Sequence, residues 1–163
     1  MPDFTDTKPI GLYEAAIGEK NQDYYLEKFE AFDQLEPGLH ASWNWGAFLF
    51  GGLWAFYRKM YGWGSAWWLL VIATSIFQKV PNAGMQLGLT ALLILVWLIF
   101  SVFANSLYHA KIKSRSEAVA KSTSDASKVD RWLRAKNGVN GWVPVVFGAV
   151  PVIGTVLAVA LPA

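Results

Sequence analysis

Leu87-Gly-Leu-Thr-Ala-Leu-Leu-Ile-Leu-Val-Trp-Leu-Ile-Phe100 is the stretch on which the fold turns. It lies within 31 consecutive residues, Val80 to Ala110, that contain no Asp, Glu, Lys or Arg. A helix needs about 20 apolar residues to cross the ~30 Å hydrocarbon layer of a bilayer. No soluble core of a 163-residue chain requires such a run. The sequence therefore predicts an all-α integral membrane protein. Its strongest span covers about Met85 to Tyr108 and is ended by Lys111, Lys113 and Arg115.

Working outward, Pro81-Asn82-Ala83-Gly84 reads as a turn, and residues 60–78 form an earlier uncharged span. Tyr61, Trp63, Trp67 and Trp68 crowd one end of that span. Before it, Trp43 to Tyr57 is apolar and aromatic until Arg58-Lys59 stops it. Fifteen helical residues reach only ~22 Å, so this segment suits a short inserted, re-entrant or tilted helix. Its Gly46, Gly51 and Gly52 would let another backbone come close. Gly141 to Ala163 is uncharged and reads as a final span kinked at Pro151. The bundle thus has three full spans plus one short inserted aromatic helix.

The N-terminal part is different. Asn21 is an N-cap candidate, and Tyr25, Phe29 and Phe32 fall at i, i+4 and i+7 on a helix that stops near Pro37-Gly38. This amphipathic helix either packs on its own membrane domain or offers Tyr25, Phe29 and Phe32 as a docking face for a partner. The organisation read from the sequence is an acidic tail with that helix (1–42), an inserted helix and two-span hairpin (43–110), a basic loop (111–140) and a C-terminal span (141–163). Val129, Trp132 and Leu133 in the basic loop make a small stripe. That pattern suits a helix lying on an anionic membrane surface, or a solvated linker.

Charge sets the topology. Residues 1–36 carry nine acidic and three basic side chains, while Lys111 to Lys136 carry eight basic and three acidic. Basic segments flanking spans stay cytoplasmic, which places residues 111–136 and Arg58-Lys59 inside. The chain reads as a multi-pass membrane protein, with no signal peptide expected. The absence of cysteine excludes disulfides and thiolate chemistry. Nine Trp match the interfacial aromatic belts of membrane proteins.

The stretch Trp43-Asn44-Trp45-x-Ala47-Phe48-x-Phe50-Gly51-x-x-Trp54-x-x-Tyr57-Arg58-Lys59-Met60-Tyr61 resembles a bacterial family of small inner-membrane proteins of unknown function. Gly18-x-x-Asn21-x-x-Tyr24-Tyr25-x-x-x-Phe29 and Asn105-x-x-Tyr108 extend the resemblance over about Leu12 to Arg115. It implies a small helical membrane bundle, located in a bacterial inner membrane. It brings no established activity, no cofactor and no catalytic residues.

Chemistry is sparse. His40 and His109 are the only histidines, and a bis-His cofactor site lacks further ligands at metal spacing. No buried carboxylate lies in a span, and no nucleophile motif is present, so no enzyme activity and no cofactor are expected. Asn105 and His109 share a helix face, and Asn44 sits between two tryptophans. A polar group in hydrocarbon must be hydrogen-bonded, so Asn44 and Asn105 either tie helices together or line a small polar pocket. Arg58 and Lys59 either snorkel at the bilayer edge or contact anionic lipid. Asn44, Arg58, Lys59, Asn105 and His109 form the candidate polar or lipid-contact set. The leading expectation is a non-enzymatic accessory or assembly protein packing on a larger membrane complex, in contact with anionic lipids and not with nucleic acid. The alternative is a lipid- or small-molecule-binding membrane protein with a pocket between residues 43–57 and the span ending at His109.

Overall fold

The computed structural model describes residues 9–77, 82–122, 125–136 and 138–146. The regular elements among them are all α-helices: α1 (Pro9–Ile17), α2 (Gln22–Asp33), α3 (Trp45–Phe50), α4 (Gly52–Tyr57), α5 (Tyr61–Phe77), α6 (Ala83–Ser122) and α7 (Ala126–Lys136). A last short helical stretch covers 142–146. Most of the C-terminal span expected over 141–163 lies outside the described residues.

One helix organises the rest. At 40 residues, α6 is about 60 Å long, and it lives in two environments. No residue from Ala83 to Ile99 is buried. This half is apolar, with Leu87, Leu92, Leu95 and Ile99 all exposed. From Phe100 onward the helix becomes a core element, burying Phe100, Ser101, Ala104, Asn105, Tyr108, Ile112, Ser116 and Val119. These positions recur at intervals of three and four and so share one face. The helix does not stop at the charged boundary after Ala110 but runs through the basic residues to Ser122.

α5 packs antiparallel on α6 across the junction of its two halves, with the Trp67 and Phe100 ring centroids 5.5 Å apart. Only Gly64 and Thr74 of α5 are buried, and Trp68, Leu69, Ile72 and Ile76 are exposed. α6 is the one described helix long and apolar enough to cross a membrane. The 17 described residues of α5 reach about 25 Å.

Around the other half of α6 the remaining helices form a head with one hydrophobic core. The α2 stripe of Tyr25, Phe29 and Phe32 is buried against Tyr108 and His109 of α6. The chain's own helix therefore occupies the face that the sequence offered to a partner. α7 is not a solvated linker: Val129 and Leu133 of its stripe are buried in the same core, where α7 packs on α1 and α6, and Trp132 is exposed. Two left-handed glycines, Gly18 and Gly138, let these segments meet backbone to backbone, and the Gly138 amide donates to the Ala16 carbonyl at 3.0 Å.

The aromatic segment is not a single helix. Gly51, at φ 51° and ψ −125°, breaks it into α3 and α4. α3 runs along α6 until Phe48 stacks on Trp97 at 4.7 Å. α4 then returns towards the head, where the Arg58 carbonyl accepts from Lys111 Nζ at 2.6 Å. Both ends of the segment thus lie beside the head half of α6, with the Ser42 amide on the Val102 carbonyl at 2.8 Å. The three glycines admit side chains, not another backbone: Trp54 at Gly46, and Trp67 at Gly51 and Gly52.

Gly51→Ala tests this break. Its backbone conformation disfavours any Cβ, at a cost of order 1–3 kcal/mol, and the added carbon would stand 3.0 Å from the Trp67 ring. Thermal unfolding in mild detergent is expected to shift down accordingly. An unchanged midpoint would mean that the segment tolerates a continuous helix.

Candidate functional site

Two of the predicted site residues meet at the centre of the head. Asn44 ends the extended run before α3 and caps that helix, its Oδ1 accepting from the Ala47 amide at 2.8 Å. Its Nδ2 donates to Asn105 Oδ1 at 2.6 Å. The Asn105 amide nitrogen in turn faces Tyr24 Oη (2.9 Å), Ser42 Oγ (3.0 Å) and the Trp43 carbonyl (3.3 Å). Asn105 is fully buried and Asn44 nearly so. The pair holds α2, α3 and α6 together. Tyr24, which enters the sequence reading only through the motif that carries the resemblance, and Ser42 are not among the predicted site residues, because a tyrosine and a serine carry no local signal of what they face.

Arg58 does not snorkel. It is 1% exposed, and its guanidinium carbon lies 4.3 Å from the Tyr25 ring centroid, with Tyr108 at 5.4 Å and Tyr57 at 5.6 Å. Nη2 donates to the Lys20 carbonyl at 3.1 Å. Nε and Nη1 are buried without a hydrogen-bond partner. Neighbouring Lys59 closes the α4 turn in a left-handed conformation at φ 55°.

A cleft of about 710 Å³ opens beside Arg58. One wall is α2, through Asn21, Tyr24 and Tyr25, and the other is α3–α4, through Trp45, Phe50, Leu53 and Trp54. Val143 and Pro144 complete the lining. The expected pocket was to have the span ending at His109 as its second wall. Instead α2 lies there, because its aromatic stripe occupies the buried face of α6. A second, apolar cavity of about 310 Å³ lies between α5 and α6, lined by Trp63, Trp67, Leu70, Val96 and Phe103 among others.

His109 belongs to a separate cluster at the end of α2. Asp33 accepts from Lys113 Nζ at 2.6 Å and from the Tyr13 hydroxyl at 2.8 Å, and His109 Nε2 lies 3.2 Å away. Burial pushes the Asp33 carboxyl up, but the bonds from Lys113 and Tyr13 outweigh it and hold the group below its usual value. Burial also pulls the His109 imidazole below 6.5, against the attraction of Asp33. His40 and His109 do not form a ligand pair: each instead packs on the Phe32 ring. Among the described residues no group of three metal-ligating side chains comes together.

Lys111 ties α6 to the end of α4. Burial, with Arg115, Lys59 and Arg58 adding repulsion, lowers its ammonium to about 7. The unfolded chain holds this proton up to its ordinary value of 10.5. Between those two values the unfolded state binds more protons than the folded one, so stability rises with pH. The unfolding midpoint is expected to climb from pH 7 to pH 10, and Lys111→Met should remove most of that climb. An equal climb in the variant would assign it to other groups.

Asn105→Leu removes the central amide and strands Asn44. An interhelical hydrogen bond in a membrane protein contributes about 0.6–2 kcal/mol, and a buried unsatisfied partner costs a further ~1–3 kcal/mol. A clear drop in the unfolding midpoint is expected. No drop would mean that water replaces the lost bonds.

No curated protein and no solved structure matches the chain. One family does, over residues 15–114, which takes in α2 to α5, the cleft's walls apart from Val143 and Pro144, and the Asn44–Asn105 pair. The chain belongs to the family described as Protein of unknown function (DUF2628).

Proposed function

We propose that this protein is a multi-pass bacterial inner-membrane protein that binds a lipid or small molecule in the cleft between α2 and α3–α4, without catalysing a reaction. The cleft is the observation that carries the reading. It is apolar, of the size that small ligands occupy (about 300–1,000 Å³), and has one buried cation on its lining.

In this reading α5 and the apolar half of α6 cross the bilayer and the head rests on the cytoplasmic surface. The bare Leu and Ile side chains of both helices support insertion, since exposed apolar patches of that extent mark membrane or partner contacts. Trp43, Trp45, Phe48 and Trp97 cluster where α6 passes from bare to buried, as an interfacial aromatic belt does. Arg58, Lys59, Lys111, Lys113 and Arg115 lie at the head end of the hairpin, which favours a cytoplasmic head. The doubled-back α3–α4 segment then dips into the inner leaflet without crossing, which keeps the N-terminus inside.

The accessory-subunit reading keeps one support, the exposed α5–α6 faces that a helical partner would also cover. Its clearest support in the sequence, the Tyr25, Phe29 and Phe32 face, is buried within the head. Extraction from native membranes in mild detergent separates the two. A lipid or small molecule retained at one per chain is the expected result. A stoichiometric protein partner with no retained ligand would sink the binding reading and favour the accessory one.

A further inference from the structure

We propose that the occupant of the cleft is an anionic amphiphile, an alkyl chain bearing a phosphate or carboxylate head, and that Arg58 binds the head. The inference rests on the reading of the cleft as a binding site and adds the chemistry of its ligand.

Arg58 carries the argument. A guanidinium is always charged at physiological pH and offers five N–H donors. Here it is 1% exposed, yet Nε and Nη1 have no acceptor. It stands on the Tyr25 and Tyr108 rings, and the Tyr108 hydroxyl beside it is neutral and leaves the charge uncompensated. Buried charges are ordinarily paired and hydrogen-bonded. Among the described residues no carboxylate pairs with Arg58, and none lines the cleft. Ring faces and one carbonyl stabilise the cation without neutralising it. An anion with planar or tetrahedral oxygens matches the donors left over.

The remaining walls specify the other half of the ligand. Trp45, Phe50, Leu53 and Val143 give the rest of the cleft an apolar lining that a free inorganic anion on Arg58 would leave uncovered. An alkyl chain buries that surface. Phe50 is exposed on the α3 side that faces the bilayer in the proposed orientation, so a chain can leave the cleft towards lipid.

The test is native mass spectrometry of the full chain released from phosphatidylcholine nanodiscs and titrated with dodecyl phosphate, 1-dodecanol or inorganic phosphate. One saturable adduct of dodecyl phosphate is expected, at least tenfold tighter than that of dodecanol. Inorganic phosphate is expected to bind negligibly. Arg58→Gln should weaken dodecyl phosphate at least tenfold, with Arg58→Lys in between. Leu53→Trp narrows the cleft without touching the guanidinium and should weaken the same adduct.

Five outcomes overturn the proposal. Inorganic phosphate binding as tightly as dodecyl phosphate would make the site one for a free anion. A folded Arg58→Gln with undiminished binding would remove the residue from recognition. If Arg58→Gln does not fold, undiminished binding by Leu53→Trp puts the amphiphile elsewhere. Equal binding of dodecanol and dodecyl phosphate, both blocked by Leu53→Trp, would defeat the head-group inference while leaving the cleft a binding site. No adduct with any probe would defeat both readings.

Discussion

A single buried amide holds this architecture together. Asn105 accepts from Asn44 at 2.6 Å and donates within reach of Tyr24, Ser42 and Trp43. It lies one turn past Phe100, where α6 passes from its bare half to its buried half. A polar side chain at such a place is stable only when its donors and acceptors are met. Meeting them fixes three segments in sequence order: α2 through Tyr24, the extended run through Ser42 and Trp43, and α3 through its cap at Asn44. The two walls of the cleft are therefore set by the same hydrogen-bond cluster, although Asn105 itself does not line the cleft.

The charge asymmetry along the chain is largely answered within the fold. The acidic N-terminal region and the basic region after Ala110 meet where Asp33 bonds Lys113, and α7 packs on α1 rather than standing apart. Exposed pairs of this kind contribute little individually. Their role is orientation, and the hydrophobic contacts of Phe29, Ile112 and Leu133 beneath them supply the larger share of stability. Arg58 stands outside this compensation. Among the described residues it is a buried cation with two N–H groups that the fold leaves without an acceptor, on the lining of the cleft.

The helix-level reading was largely legible. An uncharged run around Leu87 to Phe100 has no stable form other than a long apolar helix. The Tyr25, Phe29 and Phe32 stripe marked one covered face of α2. The need of Asn44 and Asn105 for partners followed from burying amides among apolar residues. Three points were not legible. Gly51 gives the same letter in a continuous helix and in a break, and only the contact with Trp67 selects the break. The polar members of the buried α6 face, Ser101, Asn105 and Ser116, hid its amphipathic period from a reading that counts apolar residues. Arg58-Lys59 follows an aromatic run in the pattern of snorkelling cations, so nothing local distinguished the buried arginine from its neighbour.

What the sequence by itself determined is the set of surfaces that must leave water: the α5 and α6 apolar helices, the aromatic segment and the stripes of α2 and α7. Hydrophobicity and periodicity are local properties, and they state that a face is covered. They do not state by what. The tertiary structure decided that α2 lies against α6 rather than a partner, that α7 joins the core rather than forming a solvated linker, and that α3–α4 doubles back at Gly51. It also decided that Arg58 is buried over the Tyr25 and Tyr108 rings beside the cleft. Those outcomes depend on contacts between residues tens of positions apart, such as Asn44 with Asn105 and Arg58 with Lys111. Such pairings are chosen by packing and by the satisfaction of buried polar groups, which no local stretch of sequence contains.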